Sequence, residues 1–201
     1  MRASFTGELG YEIYISPKYG LELWKKIFSC GKAFNLIPYG TETMHLLRAE
    51  KGYIVVGQET DGTVTPIDLN YNWMIGKNKR DFIGKRSLSR PDTARDDRKQ
   101  LVGLSPINKS DTIEEGQHIV EINKLPNKIK NPIKYLGHVS SSYHSPNLNQ
   151  SIGLAMIKGG NNLLGQKFFV TVSGKTQNIP VEIVNPVFID PENKRLTSWV
   201  K

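Results

Sequence analysis

The sequence predicts an α+β fold, with a mixed piece to about residue 95 followed by an all-β domain. Three observations predict it. Apolar residues recur at helical spacing early in the chain, at Leu21, Trp24, Ile27 and Phe28. Beyond residue 100 the apolar runs become short, β-rich and separated by turns. Between the two textures, residues 89–99 (Ser-Arg-Pro-Asp-Thr-Ala-Arg-Asp-Asp-Arg-Lys) carry almost no apolar side chains and read as a linker. The chain is therefore expected to divide into residues 1–95 and 96–201, the second unit being a small antiparallel barrel or a sandwich.

The elements follow in order. Phe5-Thr-Gly-Glu-Leu-Gly-Tyr-Glu-Ile-Tyr14 opens with two glycines in an acidic bend. It continues as an alternating run, Tyr11 to Ile15, which predicts a strand with two faces. Ser16-Pro17 suits a helix start, serine as N-cap and proline at the first helical position. The helix carrying Leu21, Trp24, Ile27 and Phe28 is expected to stop near Gly31. A second helix runs from about Thr41 to Lys51, with Met44, Leu47 and Ala49 apolar and Gly52 as its C′ residue. Tyr53-Ile-Val-Val56 reads as a short buried strand, Gln58 to Thr63 as a polar loop, and Lys85 to Leu88 as a short helix. The β unit is expected to use Leu101–Leu104, His118–Ile122, Ile133–Val139, Ile152–Ile157, Phe168–Val172 and Val181–Val184. No period of 20 to 50 residues recurs, which excludes a solenoid.

Composition narrows the function classes. At 38% hydrophobic and 23% charged, the 201 residues can bury a core of ordinary globular kind. No run approaches 18 apolar residues and no signal peptide opens the chain, so a soluble, cytoplasmic setting without membrane contact is expected. Cys30 is the single cysteine; it excludes an internal disulfide and reads as a small buried hydrophobe on the first helix. Without a secretion signal, the sequons at Asn108 and Asn149 read as chance. The net charge of +8 gathers in two clusters, Lys77, Lys79, Arg80, Lys85, Arg86, Arg90 and Lys124, Lys128, Lys130, Lys134. Such clusters suit polyanions, although a solvated basic face is the ordinary reading. No aromatic–basic RNA motif accompanies them, so nucleic acid is not expected as a partner.

Several chemistries fail on spacing. Gly84-Lys85-Arg86-Ser87 lacks the earlier glycine and the adjacent hydroxyl of a phosphate loop. Gly159 to Gly165 is a turn between strands rather than a dinucleotide fingerprint. His45, His118, His138 and His144 complete no metal spacing, so no metal site is expected. Ser140-Ser-Ser-Tyr-His144 has no nucleophile-elbow glycines. What survives is a site that binds and orients a ligand. Glu12 is its candidate: a mid-strand carboxylate is costly unless solvated or paired. Either it stands in water on an edge strand or it holds the donor groups of a polar heterocycle.

Residues Arg2-Ala-Ser-Phe-Thr-Gly-Glu-Leu-Gly-Tyr-Glu-Ile13 resemble the strand motif of the glycine-cleavage T-protein (aminomethyltransferase) family. Leu47-Arg-Ala-Glu-Lys-Gly-Tyr-Ile, Gly57-Gln-Glu-Thr-Asp-Gly-Thr-Val-Thr-Pro, Asp81-Phe-Ile-Gly-Lys-Arg-Ser-Leu, Arg98-Lys-Gln-Leu-Val-Gly-Leu and Gly137-His-Val-Ser-Ser-Ser-Tyr are similar to the C-terminal region of sarcosine oxidase alpha subunits. The resemblance runs from the first residues to about Pro191. It implies the second part of a T-protein-type folate-binding domain, then a small antiparallel β-barrel. Since Met1-Arg-Ala-Ser4 enters a strand-like segment with no lead-in, the chain reads as a fragment.

The resemblance implies tetrahydrofolate-dependent one-carbon transfer. In sarcosine oxidases a flavin oxidises sarcosine to glycine and tetrahydrofolate captures the methyl carbon as 5,10-methylenetetrahydrofolate, with hydrogen peroxide as a further product. Glu12 stands where the family grips the pterin ring, and a carboxylate can accept two adjacent N–H donors in one charge-assisted pair. Tyr11 and Tyr14 would flank the ring. Arg48 matches a family arginine, although an ion pair with Glu50 or Glu42 is the plainer role. The pattern departs at Met44, where the family carries another folate-site arginine. The family's catalytic aspartate precedes this stretch, so no catalytic residue is expected in the chain and the isolated chain is expected to be inactive. FAD, FMN and NAD are expected only in regions or subunits outside it, and other oxidase subunits (a heterotetramer) as its partners. Lys77, Lys79 and Arg80 would steer a folate's polyglutamate tail. The rival readings are a flavin-independent aminomethyl or methyl transferase of the T-protein family and a non-catalytic scaffold domain of an oxidase.

Overall fold

A computed structural model describes residues 1–126 and 131–197; Lys128 and Lys130 of the second basic cluster fall outside the described residues. Three helices come first, α1 Gly20–Gly31, α2 Thr41–Glu50 and the single turn α3 Lys85–Leu88. Six strands follow: β1 Lys99–Pro106, β2 His118–Val120, β3 Gly137–Ser145, β4 Gln150–Lys158, β5 Lys167–Val170 and β6 Ile179–Val184. They close into an antiparallel barrel in the order β1-β4-β3-β2-β5-β6. Of the two all-β architectures the sequence allows, the closed one forms.

Why β1 and β4 read as unbroken apolar runs follows from their surroundings. Val102 and Leu104 of β1 and Ala155 and Ile157 of β4 fill the barrel interior. Their neighbours Leu101, Leu154 and Met156 point outward into a second core with Ala49 of α2 and Leu69. A strand covered on both faces loses the alternation that marks a half-exposed one. The first piece thus lies against the outside of the barrel, and α2 packs on β3 and β4.

The contact is polar at its centre. Arg48 has no exposed surface, and Nη1 lies 3.1 Å from Glu59 Oε2, which is also fully buried. Glu59 accepts from the Val55 amide at 2.8 Å and from the hydroxyls of Ser140 and Ser141. Arg48 donates also to the Tyr53 carbonyl, the Gln58 side chain and Ser141. Successive strand side chains normally face opposite ways. Here the β3 register shifts between Val139 and Ser141, and this bulge turns both serines onto one carboxylate. Glu50, two residues on, takes Ser145 and Asn147 from the β3–β4 turn. Lys51 reaches Asp190 Oδ2 at 2.9 Å.

Several expectations need correction. Tyr11–Ile15 is not a strand; only an isolated bridge, Arg2 to Tyr11, pairs there. A strand needs a neighbour to satisfy its amides, and among the described residues none pairs past Glu12. Tyr53–Val56 is likewise irregular, and Val56 is exposed, because the segment turns to wrap Glu59 instead of joining a sheet. Cys30 is exposed, since α1 buries none of its residues. Ser16 precedes a 3-10 turn, Pro17–Tyr19, without a capping bond from its side chain. Residues 89–99 are not a free linker. Arg98 forks onto Asp68, at 2.9 Å from both Nε and Nη2, and reaches the Thr63 carbonyl as well. Gly52, by contrast, takes the left-handed conformation of a C′ residue, φ +71°.

Two predictions test this frame. Glu59→Gln leaves Arg48 buried without its counter-charge and should cost about 3–5 kcal/mol, read as a lower urea midpoint; an unchanged midpoint contradicts the role given to the pair. The second concerns acid. Burial alone would raise the Asp68 carboxyl, but the hydrogen bonds from Arg98 and Thr65 prevail and hold it below the usual carboxylate range. Its stabilisation is therefore complete above the unfolded-chain pKa of about 3.9 and fades as pH falls through the lower folded value. The stability gap between wild type and Asp68→Asn should be constant from pH 7 to about 5 and shrink below about 4. A gap independent of pH excludes this account.

Candidate functional site

Residues 1–12 fold as a hairpin. The Ala3 amide donates to the Gly10 carbonyl at 3.2 Å, the Glu12 amide to the Met1 carbonyl at 2.9 Å, and the Met1 ammonium to the Glu12 carbonyl at 2.7 Å. Both glycines are sterically required. A Cβ on Gly7 (φ +79°) would stand 2.6 Å from Lys51 Cγ, and one on Gly10 would stand 2.7 Å from the Ala3 carbonyl oxygen. Gly7 therefore lets the hairpin tip lie directly on the α2 end. Phe5 meets His45 of α2 edge to face at 6.1 Å between ring centres. Glu8 pairs with Arg195 at 2.9 Å, and Arg2 donates to the Leu196 carbonyl. The hairpin is thus held between α2 and the C-terminal segment.

Glu12 stands at the free end of this hairpin. It is exposed, and its Oε2 accepts a hydrogen bond from the Tyr14 hydroxyl. That bond, and then the Glu12 charge, raise the Tyr14 phenol above its ordinary range, so it remains a donor at neutral pH. Tyr11 and Tyr14 are 66% and 75% exposed, so neither ring is spent on a core. The structure brings Glu12 and Tyr14 together, although not as members of a strand. It does not bring Arg48 to them. Arg48 is buried at the α2–barrel contact, and its charge partner is Glu59 rather than Glu50 or Glu42. The signal for Glu59 was absent locally, because Ser140 and Ser141 lie 81 and 82 positions away.

Other clefts lie away from Glu12. One of about 660 Å³ is walled by Tyr53, Tyr71, Trp73, Asn161, Pro186 and Val187. Another of about 390 Å³ lies between the 57–64 loop and the barrel, with Asp61, Arg98, Lys99 and His138 on its walls. Burial, and then the charges of Lys99 and His118, lower the His138 pKa and favour the neutral ring. Lys77, Lys79 and Arg80 are exposed. Among the described residues no three His, Cys, Asp or Glu side chains are grouped to hold a metal ion, and no helix is long and apolar enough to cross a membrane.

Comparison with known proteins matches this arrangement. The model of the GCVT N-terminal domain matches residues 1–79, and that of the glycine cleavage T-protein C-terminal barrel domain matches residues 99–190. The sarcosine oxidase subunit alpha of Corynebacterium sp. (strain U-96) is 45% identical over 194 residues, 96% of this chain and 20% of the relative. The aminomethyltransferase of Clostridium botulinum (strain Kyoto / Type A2) is 33% identical over 175 residues, 87% of this chain and 44% of the relative. The chain thus spans about a fifth of the length of the alpha subunits it matches. The crystal structure of the Bartonella henselae glycine cleavage system aminomethyltransferase T superposes with a TM-score of 0.76 at 22% identity, over 94% of this chain and 48% of that one; it speaks for the fold. With both family domains present in sequence order along its length, the chain belongs to the glycine-cleavage T-protein family.

Proposed function

We propose that this chain is the tetrahydrofolate-handling module of a sarcosine oxidase-type enzyme. In that enzyme sarcosine becomes glycine and its methyl carbon leaves as 5,10-methylenetetrahydrofolate. The observation that carries the reading is the 45% identity, over nearly the whole chain, to a sarcosine oxidase alpha subunit. Residues 1–95 would be the C-terminal part of the folate-binding domain and 96–201 the barrel that supports it. The setting would be cytoplasmic, with other oxidase subunits as partners and with FAD, FMN and NAD held outside this chain.

The residues present fit the head of a reduced folate. An ionised carboxylate has room for about four hydrogen bonds, and Glu12 spends one on Tyr14. It can still take the two adjacent N–H donors of a pterin as a charge-assisted pair. Tetrahydrofolate, when bound, supplies the nitrogens that accept the one-carbon unit. In this reading Glu12 orients the ring, Tyr14 fixes the carboxylate, and Tyr11 offers a second aromatic face beside it. Arg48 does not touch the ligand; it positions the hairpin by fixing α2 against the barrel. No residue of this chain is assigned the proton transfer, and on this reading the flavin that takes the electrons and passes them to oxygen lies outside it, so the chain alone would release no hydrogen peroxide from sarcosine. The identity to an aminomethyltransferase favours a second reading, the same module serving a transferase without flavin.

The test is Glu12→Gln in the chain assembled with its oxidase subunits, titrated with tetrahydrofolate and followed by intrinsic fluorescence. Loss of a charged hydrogen-bond acceptor, worth about 1.5–3 kcal/mol, predicts roughly ten- to hundredfold weaker binding with assembly unchanged. Unaltered affinity contradicts the assignment.

A further inference from the structure

The cleft of about 390 Å³ between the 57–64 loop and the barrel shares no wall with Glu12, and its size suits a small molecule. Most of the charge around it is spent. Arg95, Arg98 and Lys158 pair with Asp68, Asp92 and Asp97, three cations with three carboxylates. Glu59, on the inner wall, belongs to Arg48. Two charges are left over, and they are of opposite sign. Lys99 is the first residue of β1 and, among the described residues, its side chain makes no hydrogen bond and no ion pair. Asp61 lies on the loop wall. Its Oδ1 accepts from the Thr63 amide at 2.7 Å and from the Thr63 hydroxyl at 2.6 Å. These bonds, the hydroxyl's first, hold the Asp61 carboxyl below its usual range and fix its orientation. A carboxylate so placed keeps acceptor capacity to spare. The charge of Lys99 reaches Asp61, yet the two stand too far apart to pair.

We infer that this cleft binds a free α-amino acid with a small side chain, its carboxylate on Lys99 and its ammonium on Asp61. A ligand of one charge would satisfy one wall and leave the other wall's charge unmatched. A zwitterion meets both walls with charge-assisted hydrogen bonds. The uncharged donors agree with this. Gln58 commits its side-chain oxygen to Arg48 at 3.1 Å, which leaves its NH2 group free on the cleft wall. His138 is half-buried on the barrel wall. Its ring, kept neutral by burial and by the charges of Lys99 and His118, can give an N–H to a carboxylate without adding a charge. Val64 and Met156 supply the apolar surface for a short aliphatic side chain. The site is separate from the folate site proposed above and does not depend on it.

Isothermal titration of the full chain with glycine and with L-alanine tests this. Each should bind at one site, and acetate and methylammonium, which carry one of the two charges, should bind at least tenfold more weakly. Lys99→Gln and Asp61→Asn should each weaken L-alanine at least tenfold; the asparagine keeps the acceptor that holds the Thr63 turn. Glu12→Gln should leave L-alanine binding unchanged. All three variants should retain the urea midpoint of the chain, and the comparison among ligands on the unaltered chain decides the matter even where a variant fails to fold. No heat of binding from either amino acid, acetate binding as tightly as L-alanine, or full L-alanine affinity in Lys99→Gln or Asp61→Asn each overturns the inference. Tetrahydrofolate binding is read separately through Glu12→Gln, so either site can fail while the other stands.

Discussion

Everything in this molecule is referred to one buried charge pair. Arg48 and Glu59 are wholly removed from water, which is tolerable only because nearly every donor and acceptor they carry is met. Helix, loop and barrel all contribute: Arg48 from α2, Glu59 from the 57–64 loop, and two serines from the β3 bulge. None of these can be repositioned without stranding a charge in a dry environment. Glu50 and Lys51 extend the same logic by one turn, to the β3–β4 corner and to Asp190. Three neighbouring ionic residues on successive faces of one helix end therefore fix its rotation, its depth and its distance from the barrel.

The consequence for function is a rigid mount under a mobile task. The Glu12 hairpin rests by its glycine tip on Lys51, so its orientation is inherited from the helix end. On the reading proposed here, the ligand-facing carboxylate sits at the far end of a short lever whose base is the best-secured part of the chain. Gly7 and Gly10 are then not conformational slack. Each clears a backbone or side chain that would otherwise push the lever away.

Much of this was legible in the sequence, unevenly. The barrel strands declared themselves because apolar runs bounded by turns are a local signal, and β1, β4 and β6 lie where those runs are. So did α1, α2 and the Gly52 cap. The hairpin was legible as a bend with two glycines, but Tyr11–Ile15 was misread as a strand, since pairing beyond Glu12 depends on a neighbour that alternation cannot reveal. Cys30 was misplaced for a related reason: an amphipathic pattern says that a face wants burial, and α1 has no cover for it within the described residues. The Arg48–Glu59 pair was out of reach. Its partners are far apart in sequence, and Arg48 had two nearer carboxylates, Glu42 and Glu50, that looked equally suitable.

One feature of the hairpin has a bearing on biosynthesis. Its ties to the C-terminal segment join residues 187 and 194 positions apart, Glu8 to Arg195 and Arg2 to Leu196. At about 5–20 residues per second, a ribosome leaves the hairpin waiting roughly 10–40 s for the latch that secures it. The hairpin's ties are therefore completed only after the whole barrel has been synthesised.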